Sequence, residues 1–233
     1  PFAVSGSRRR DPAGREEFDR ERLVTPVKMV RRKTKQVNIG PLLVRTANQS
    51  KELLSEFPEL QSFAAGDVLV TVTCERAVEA SESLRQWALD LTRANMQSLY
   101  EASHWGWSEN AKKKELGHRD AWYLVARDQA GKPVGFVHFR FDMDFDLAVL
   151  YCYELQLEPQ VQRRGLGSFL MQALDVLAQR FRMCKLLLTV FVGNEGALAF
   201  YRGALGYRTD CTSPGNGADY LILSKPTSVP SRR

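Results

Sequence analysis

Tyr151-Cys152-Tyr153-Glu154-Leu155-Gln156-Leu157-Glu158-Pro159-Gln160-Val161-Gln162-Arg163-Arg164-Gly165-Leu166-Gly167 sets an aromatic, apolar run against two arginines and a Gly-x-Gly. The run from Val149 to Leu157 reads as a strand. Behind it, Leu166, Leu170, Leu174, Leu177 and Phe181 recur three or four apart, as on one face of a helix. A strand–turn–helix of this kind aims free backbone N–H groups at an anion, and the helix dipole favours negative charge there. Gly165 and Gly167 permit close backbone approach, and Arg163 and Arg164 add positive charge at the same spot. The turn reads as a phosphate cradle. It is not a dinucleotide fingerprint, because the third glycine position holds Leu170, and no Gly-Lys-Ser/Thr marks a P-loop.

Outward from this turn the chain alternates helices and strands. Asp67–Glu75 reads as a strand and Ser81–Ser103 as a long helix capped by Ser81. Trp105-Gly106-Trp107 interrupts, and a short polar helix follows over Ser108–Gly117. Strands are expected at Ala121–Arg127 and Pro133–Phe141, then an acidic loop over Asp142–Asp146. Lys185–Phe191 is a β-branched strand, Asn194–Leu205 a short helix, and Tyr207 and Tyr220–Leu223 belong to a closing hairpin. Asn48–Phe63 reads as a short amphipathic helix broken near Pro58. This order predicts an α/β layer fold with helices on both faces of a mixed sheet.

The length of 233 residues suits one domain. The boundaries expected are a basic, partly disordered segment over 1–47, a folded domain over 48–225 and a basic tail over 226–233. Bases exceed acids by six within residues 1–35 and by three within 225–233, while 36–224 carries an excess of three acids. The overall charge of +6 therefore belongs to the ends of the chain. Such ends suit solvent, nucleic acid or nuclear targeting, for which Arg31-Arg32-Lys33-Thr34-Lys35 is a candidate; a charged helix could form around Arg15–Leu23. No apolar run reaches the length of a membrane span, and the first residues lack the apolar core of a signal peptide. Cys74, Cys152, Cys184 and Cys211 are scattered and read as reduced thiols, and His104, His118 and His138 are not spaced as metal ligands.

A second pattern follows the cradle. Asn194-Glu195-Gly196-Ala197-Leu198-Ala199-Phe200-Tyr201-Arg202-Gly203-Ala204-Leu205-Gly206-Tyr207 stands about thirty residues after Gln162-Arg163-Arg164-Gly165-Leu166-Gly167. Together the two resemble the Gln/Arg-x-x-Gly-x-Gly/Ala turn and the Asn-x-x-Ala-x-x-Phe-Tyr-x-x-x-Gly-Phe/Tyr element of the GNAT superfamily of acetyltransferases. The resemblance implies that the anion is the pyrophosphate of acetyl-CoA, a cosubstrate, with no metal required. It implies the GNAT fold, in which two parallel strands splay and admit the acyl chain. Leu155, Gln156 and Leu157 would bond the pantetheine arm, Gln162, Arg163, Arg164, Gly165, Leu166, Gly167 and Ser168 the pyrophosphate, and Asn194 would lie near the arm.

Asn95-Met96-Gln97-Ser98-Leu99-Tyr100, Trp105-Gly106-Trp107, Ala121-Trp122-Tyr123-Leu124, His138-Phe139-Arg140-Phe141-Asp142 and Tyr151-Cys152-Tyr153-Glu154 narrow the resemblance, over roughly residues 50–225, to the N-alpha-acetyltransferase D family. That family acetylates the terminal serine of histones starting Ser-Gly-Arg-Gly. The resemblance implies Glu154 as general base, with Tyr153 and Tyr100 holding the serine and a water. It implies Trp105 as a wall around a small first residue, and Asp142 and Asp144 as partners for the arginine. Tyr151, Thr189, Thr212 and Tyr220 would line the tail groove; at Thr212 the family usually carries serine. Tyr201 stands where many GNAT enzymes keep a tyrosine that protonates the departing thiolate, but this branch often has phenylalanine there, which favours a packing role. The partners implied are histone tails, with no membrane, and a monomer in nucleus and cytoplasm.

Two points bear on the chemistry. Along a regular strand Tyr153 and Glu154 face opposite ways; both reach one cleft only if the strand bulges. Cys152 lacks a paired histidine, which argues against a covalent acyl-enzyme. Two other readings stay open: a GNAT enzyme acting on lysine or small amines, and a CoA-binding chromatin module without catalysis.

Overall fold

The computed structural model describes residues 38–215 and 217–227. Eight strands form one sheet in the order β1-β2-β3-β4-β5-β6-β8-β7. They are β1 Ser62–Ala65, β2 Val68–Arg76, β3 Ala121–Arg127, β4 Pro133–Asp144, β5 Leu147–Leu157, β6 Lys185–Phe191, β7 Arg208–Thr209 and β8 Tyr220–Pro226. Among the described residues only β5 and β6 pair in parallel, joined by the crossover helix α4 Leu166–Arg180. The other helices are α1 Gly40–Asn48, α2 Glu82–Glu101, α3 Glu109–Leu116 and α5 Glu195–Leu198, which runs on into a π-turn over Ala199–Ala204.

The sheet is apolar on both faces, and each face takes its own helices. Trp122, Leu124, Phe139, Phe141, Leu150 and Cys152 meet α1 and α4 through Ala47, Leu170, Leu174 and Leu177. On the opposite face Ala121, Tyr123, Val125 and Phe136 meet α2 and α3 through Leu84, Ala88, Leu91 and Leu116. The serine caps act as their sequence positions suggest: Leu84 donates to Ser81 Oγ at 3.1 Å and Ala111 to Ser108 Oγ at 3.3 Å.

Three expectations need correction. The folded body starts before residue 48, because Gly40–Asn48 is helical and buries Ala47. The helix expected over Asn48–Phe63 is instead turns, a 3-10 turn at Pro58–Leu60 and the start of β1; Leu53 and Leu54 are buried there outside any helix, and Leu60 within the 3-10 turn. Asp142–Asp146 is not an open loop: Asp142, Met143 and Asp144 continue β4 against Val149, Ala148 and Leu147, and the chain reverses at Phe145 with φ +50°. The basic run at 31–35, the possible helix at 15–23 and most of the C-terminal tail lie outside the described residues.

Two irregularities position the site. The β4–β5 ladder pairs His138 with Glu154 and Phe139 with Cys152, so Tyr153 is the extra residue of a bulge. The β5–β6 ladder runs from Val149/Lys185 only as far as Cys152/Leu188. Beyond Cys152 the two parallel strands part.

Candidate active site

Two cavities meet where β5 and β6 part. The larger, of about 670 Å³, is lined on one side by Leu155, Gln156 and Leu157 and on the other by Asn194, Ala197, Phe200 and Tyr201. The smaller, of about 230 Å³, is lined by Tyr100, Trp105, Lys112, Glu115, Tyr151, Tyr153, Glu154, Thr189 and Phe191. Met96, Leu155, Gln156, Asn194, Ala197 and Tyr201 line both.

The anion turn closes the far end of the larger cavity. Gln162, Arg163, Gly165, Gly167 and Ser168 line it. Helix α4 starts at Leu166, its first turn of N–H groups lacks intrahelical acceptors, and Gly165 caps it in the left-handed region with φ +87°. A side chain at Gly165 would be strained there and would meet the Phe63 ring at 3.4 Å. Arg163 also holds φ +60°. The side chains of Arg164 and Leu166 turn away: Arg164 pairs with Asp67, and Leu166 is fully buried in the core. At those two positions only the backbone is available to a phosphate.

The edge of β5 past Cys152 is partly engaged by side chains. The Leu157 carbonyl accepts from Asn95 Nδ2 at 3.3 Å and from Gln162 Nε2 at 2.9 Å. Asn95 also donates to Gln156 Oε1 at 3.0 Å. Asn194 spends its side-chain oxygen on the Ala197 N–H at 3.1 Å, capping α5, so its carbonyl is structural.

The bulge turns Tyr153 and Glu154 towards the same cavity. Glu154 is 5 % exposed, and both its oxygens are engaged: Oε1 by Lys112 Nζ at 2.7 Å and Oε2 by Gln156 Nε2 at 2.7 Å. Lys112 also donates to Tyr100 Oη at 2.8 Å and Glu115 Oε1 at 2.6 Å. Burial pulls the Lys112 pKa down, but Glu154 and Glu115 outweigh it and hold the ammonium charged. Burial, then Glu154 and Glu115, push the Tyr100 phenol up against Lys112's opposing pull, so it stays protonated. Tyr153 stacks between Tyr151 at 4.7 Å and His138 at 5.6 Å, with the Arg140 guanidinium 4.3 Å above its ring.

Aromatic rings wall the outer side. Trp105 lies 4.8 Å from Tyr220, 5.5 Å from Phe191 and 6.2 Å from Tyr100. His104 holds that loop against the sheet through two 2.8 Å bonds to Asp219 Oδ2, from its backbone N–H and its ring Nδ1.

The acids expected to meet a basic peptide differ in freedom. Asp144 is paired with Lys185 at 2.9 Å, and Lys185 also contacts Asp210 at 2.9 Å. Thr212 gives both its N–H and its hydroxyl to Asp210, so that hydroxyl is already committed. Among the described residues Asp142 accepts only from the N–H of Met143. Thr189 and Tyr151 share a 2.6 Å hydroxyl bond in the floor of the smaller cavity, and burial pushes the Tyr151 phenol up to about 12.

Cys152 points into the core on the opposite face, and burial pushes its thiol far above the usual range. Tyr201 is nearly buried, packs on Phe200 and Tyr207 at 5.1 and 5.7 Å, and is held protonated by desolvation. Among the described residues no cluster of His, Cys, Asp and Glu could hold a metal ion.

Sequence reasoning missed Lys112, Glu115, Phe191 and Asn95. Lys112 and Glu115 lie in Lys112-Lys113-Lys114-Glu115, which reads as a solvated helix surface. Only the packing of α3 over β5 distinguishes Lys112, 6 % exposed, from its neighbours.

The family model described as "Acetyltransferase (GNAT) family" matches residues 81–207. Among solved structures, a GNAT-family acetyltransferase from Listeria monocytogenes is 14% identical, covering 71% of this chain and 99% of its own, with TM-score 0.50. A structure of the NatC complex bound to Gag peptide and CoA contains a chain 19% identical, with 66% and 98% covered and TM-score 0.50. The ribosomal-protein-S18-alanine N-acetyltransferase of Escherichia coli is 19% identical, with 68% and 96% covered and TM-score 0.48.

Proposed function

This chain belongs to the GNAT acetyltransferase family, and from that premise we propose that it moves acetyl from acetyl-CoA to the terminal α-amine of proteins beginning Ser-Gly-Arg-Gly, as histone tails do. The observation that carries the reading is the junction beyond Cys152. The anion cradle opens from one side of it and a small aromatic cavity with a carboxylate-rich centre from the other.

The larger cavity suits CoA. The α4 N-terminus and Arg163 would take its pyrophosphate, and the parted edge of β5 would take the pantetheine arm, delivering the thioester to the junction. The smaller cavity suits a small first residue, walled by Trp105, Tyr100 and Phe191. A terminal ammonium would enter beside Glu154 and Glu115, two carboxylates sharing the single Lys112 ammonium.

The acceptor amine has a pKa of about 8, against about 10.4 for lysine, so part of it is already neutral near pH 7. Its nitrogen attacks the thioester carbonyl carbon; the C–N bond forms and the C–S bond breaks. The nitrogen's proton passes to Glu154, directly or through a water, and sulfur leaves as thiolate and is protonated. Tyr153 and Tyr100 would orient the serine. Asp142 is the freer partner for the arginine two residues on, because Asp144 already holds Lys185. Histone tails would then be the protein partners, and nucleus and cytoplasm the sites of action.

The test is acetyl transfer to a Ser-Gly-Arg-Gly peptide, beside the same peptide with its α-amine blocked and an internal lysine free. Transfer confined to the free α-amine supports the reading. Transfer to the blocked peptide replaces it with lysine acetylation.

A further inference from the structure

Lys112 uses all three of its N–H donors within the protein: on Tyr100 Oη, Glu115 Oε1 and Glu154 Oε1. Two of those acceptors are carboxylates, so the buried cluster carries one more negative charge than Lys112 neutralises. Glu154 cannot shed a proton to solvent easily, since it is 5 % exposed and both oxygens are bonded. Glu115 differs. Its side chain is 32 % exposed, it lines the smaller cavity, and among the described residues its second oxygen accepts no hydrogen bond.

We propose that Glu115 is the proton outlet of this site, titrating with Glu154 as one coupled unit across Lys112, the positioning residue that bridges them. When the amine attacks, its proton enters the unit at Glu154. The proton passes on to Glu115 through water in the cavity that both carboxylates line, while Lys112, whose nitrogen has no free lone pair, stays charged and holds the two in place. The proton leaves to water from Glu115. No redox step and no further reactant is involved. The groups facing the unit are Tyr100 on α2, Tyr123 on β3, His138 and Arg140 on β4, Tyr153 on β5 and Tyr201 in the π-turn. His138 is uncharged, because burial and Arg140 keep it so, and it adds no cation. Arg140 Nη2 is spent on the Glu115 backbone carbonyl at 2.9 Å. Burial and Glu154 push the Glu115 carboxyl up, against Lys112's opposing pull, as an acceptor of protons requires.

The proposal rests on the acetyl-transfer reading only for its kinetic arm. Carbon-13 NMR titration of glutamate carboxyls in the full chain needs no peptide. Wild type is expected to show two mutually dependent carboxyl titrations. Glu115→Gln should move Glu154 to lower pH, and Lys112→Met should move both carboxyls to higher pH. In peptide acetylation the acidic limb of kcat/KM should follow in the same opposite directions, by about one pH unit each. Glu115→Gln should lower kcat about tenfold or more at unchanged KM for acetyl-CoA, and Glu115→Asp should restore part of it. Independent titrations, or a Glu115→Gln enzyme with wild-type kcat and limb, would overturn the proposal. A peptide that is never acetylated, with coupled titrations intact, would fault the substrate and leave the outlet standing.

Discussion

Tyr153 and Glu154 are consecutive in the chain, yet both face the same 230 Å³ cavity. The bulge at Tyr153 breaks the alternation that would otherwise send Glu154 into the core beside Cys152. It also leaves β5 without a β6 partner after Cys152, which is where the two cavities join. One inserted residue thus places the carboxylate and opens the strands.

Glu154→Gln removes the carboxylate nearest the junction but keeps its shape and its place beside Gln156. Acetyl transfer should fall by about 10²–10⁴, with acetyl-CoA affinity by calorimetry unchanged. A loss of both together would mean that the residue serves the fold of the cleft.

Lys112→Ala leaves Glu154 buried without its cation. Breaking a buried pair in this way costs about 3–5 kcal/mol, read as a lower urea midpoint. Lys113→Ala, one residue away on the exposed side of α3, should stay within about 0.5 kcal/mol.

Gly165→Ala forces a side chain into the left-handed region at φ +87°. It should destabilise the protein by about 1 kcal/mol or more and weaken acetyl-CoA binding, since the α4 N-terminus would shift. KM for the acceptor peptide should hold steady.

Asp142→Asn should raise KM for a Ser-Gly-Arg-Gly peptide about tenfold, as expected for losing a charge-assisted bond. The same change tested on a Ser-Gly-Ala-Gly peptide should matter little. Asp144→Asn should instead show chiefly as lost stability, because Asp144 is bound to Lys185.

Burial and Arg140 push His138 down to about 3, well below the ordinary histidine range. The folded protein therefore stays unprotonated there while the unfolded chain takes up a proton below about pH 6.5. This contribution to stability is full above pH 6.5 and is lost as pH falls from 6.5 towards 3, at up to about 1.4 kcal/mol per pH unit. A His138→Phe variant should show a shallower decline in urea midpoint over pH 6.5–4.5.

Much of the architecture was legible in the residues themselves. Strong periodicity over Leu166–Arg180, a continuous apolar run within Lys185–Phe191, and serine caps before α2 and α3 specify those elements through local hydrogen bonding and burial. Gly165 marks the anion turn, because few other residues tolerate its left-handed backbone. Beside these, the segment 49–60 misleads: its leucines are held by tertiary burial in turns, without a local repeat to announce them. The tertiary structure alone decided three further matters. It took Arg164 away from the cleft to Asp67, drew Asp144 to Lys185, and buried Lys112 against Glu154. Charged side chains are long and choose partners by proximity in space, and sequence spacing carries no record of which partner lies within reach. The same holds for the bulge at Tyr153, since the register between β4 and β5 is set by what both strands bury at once.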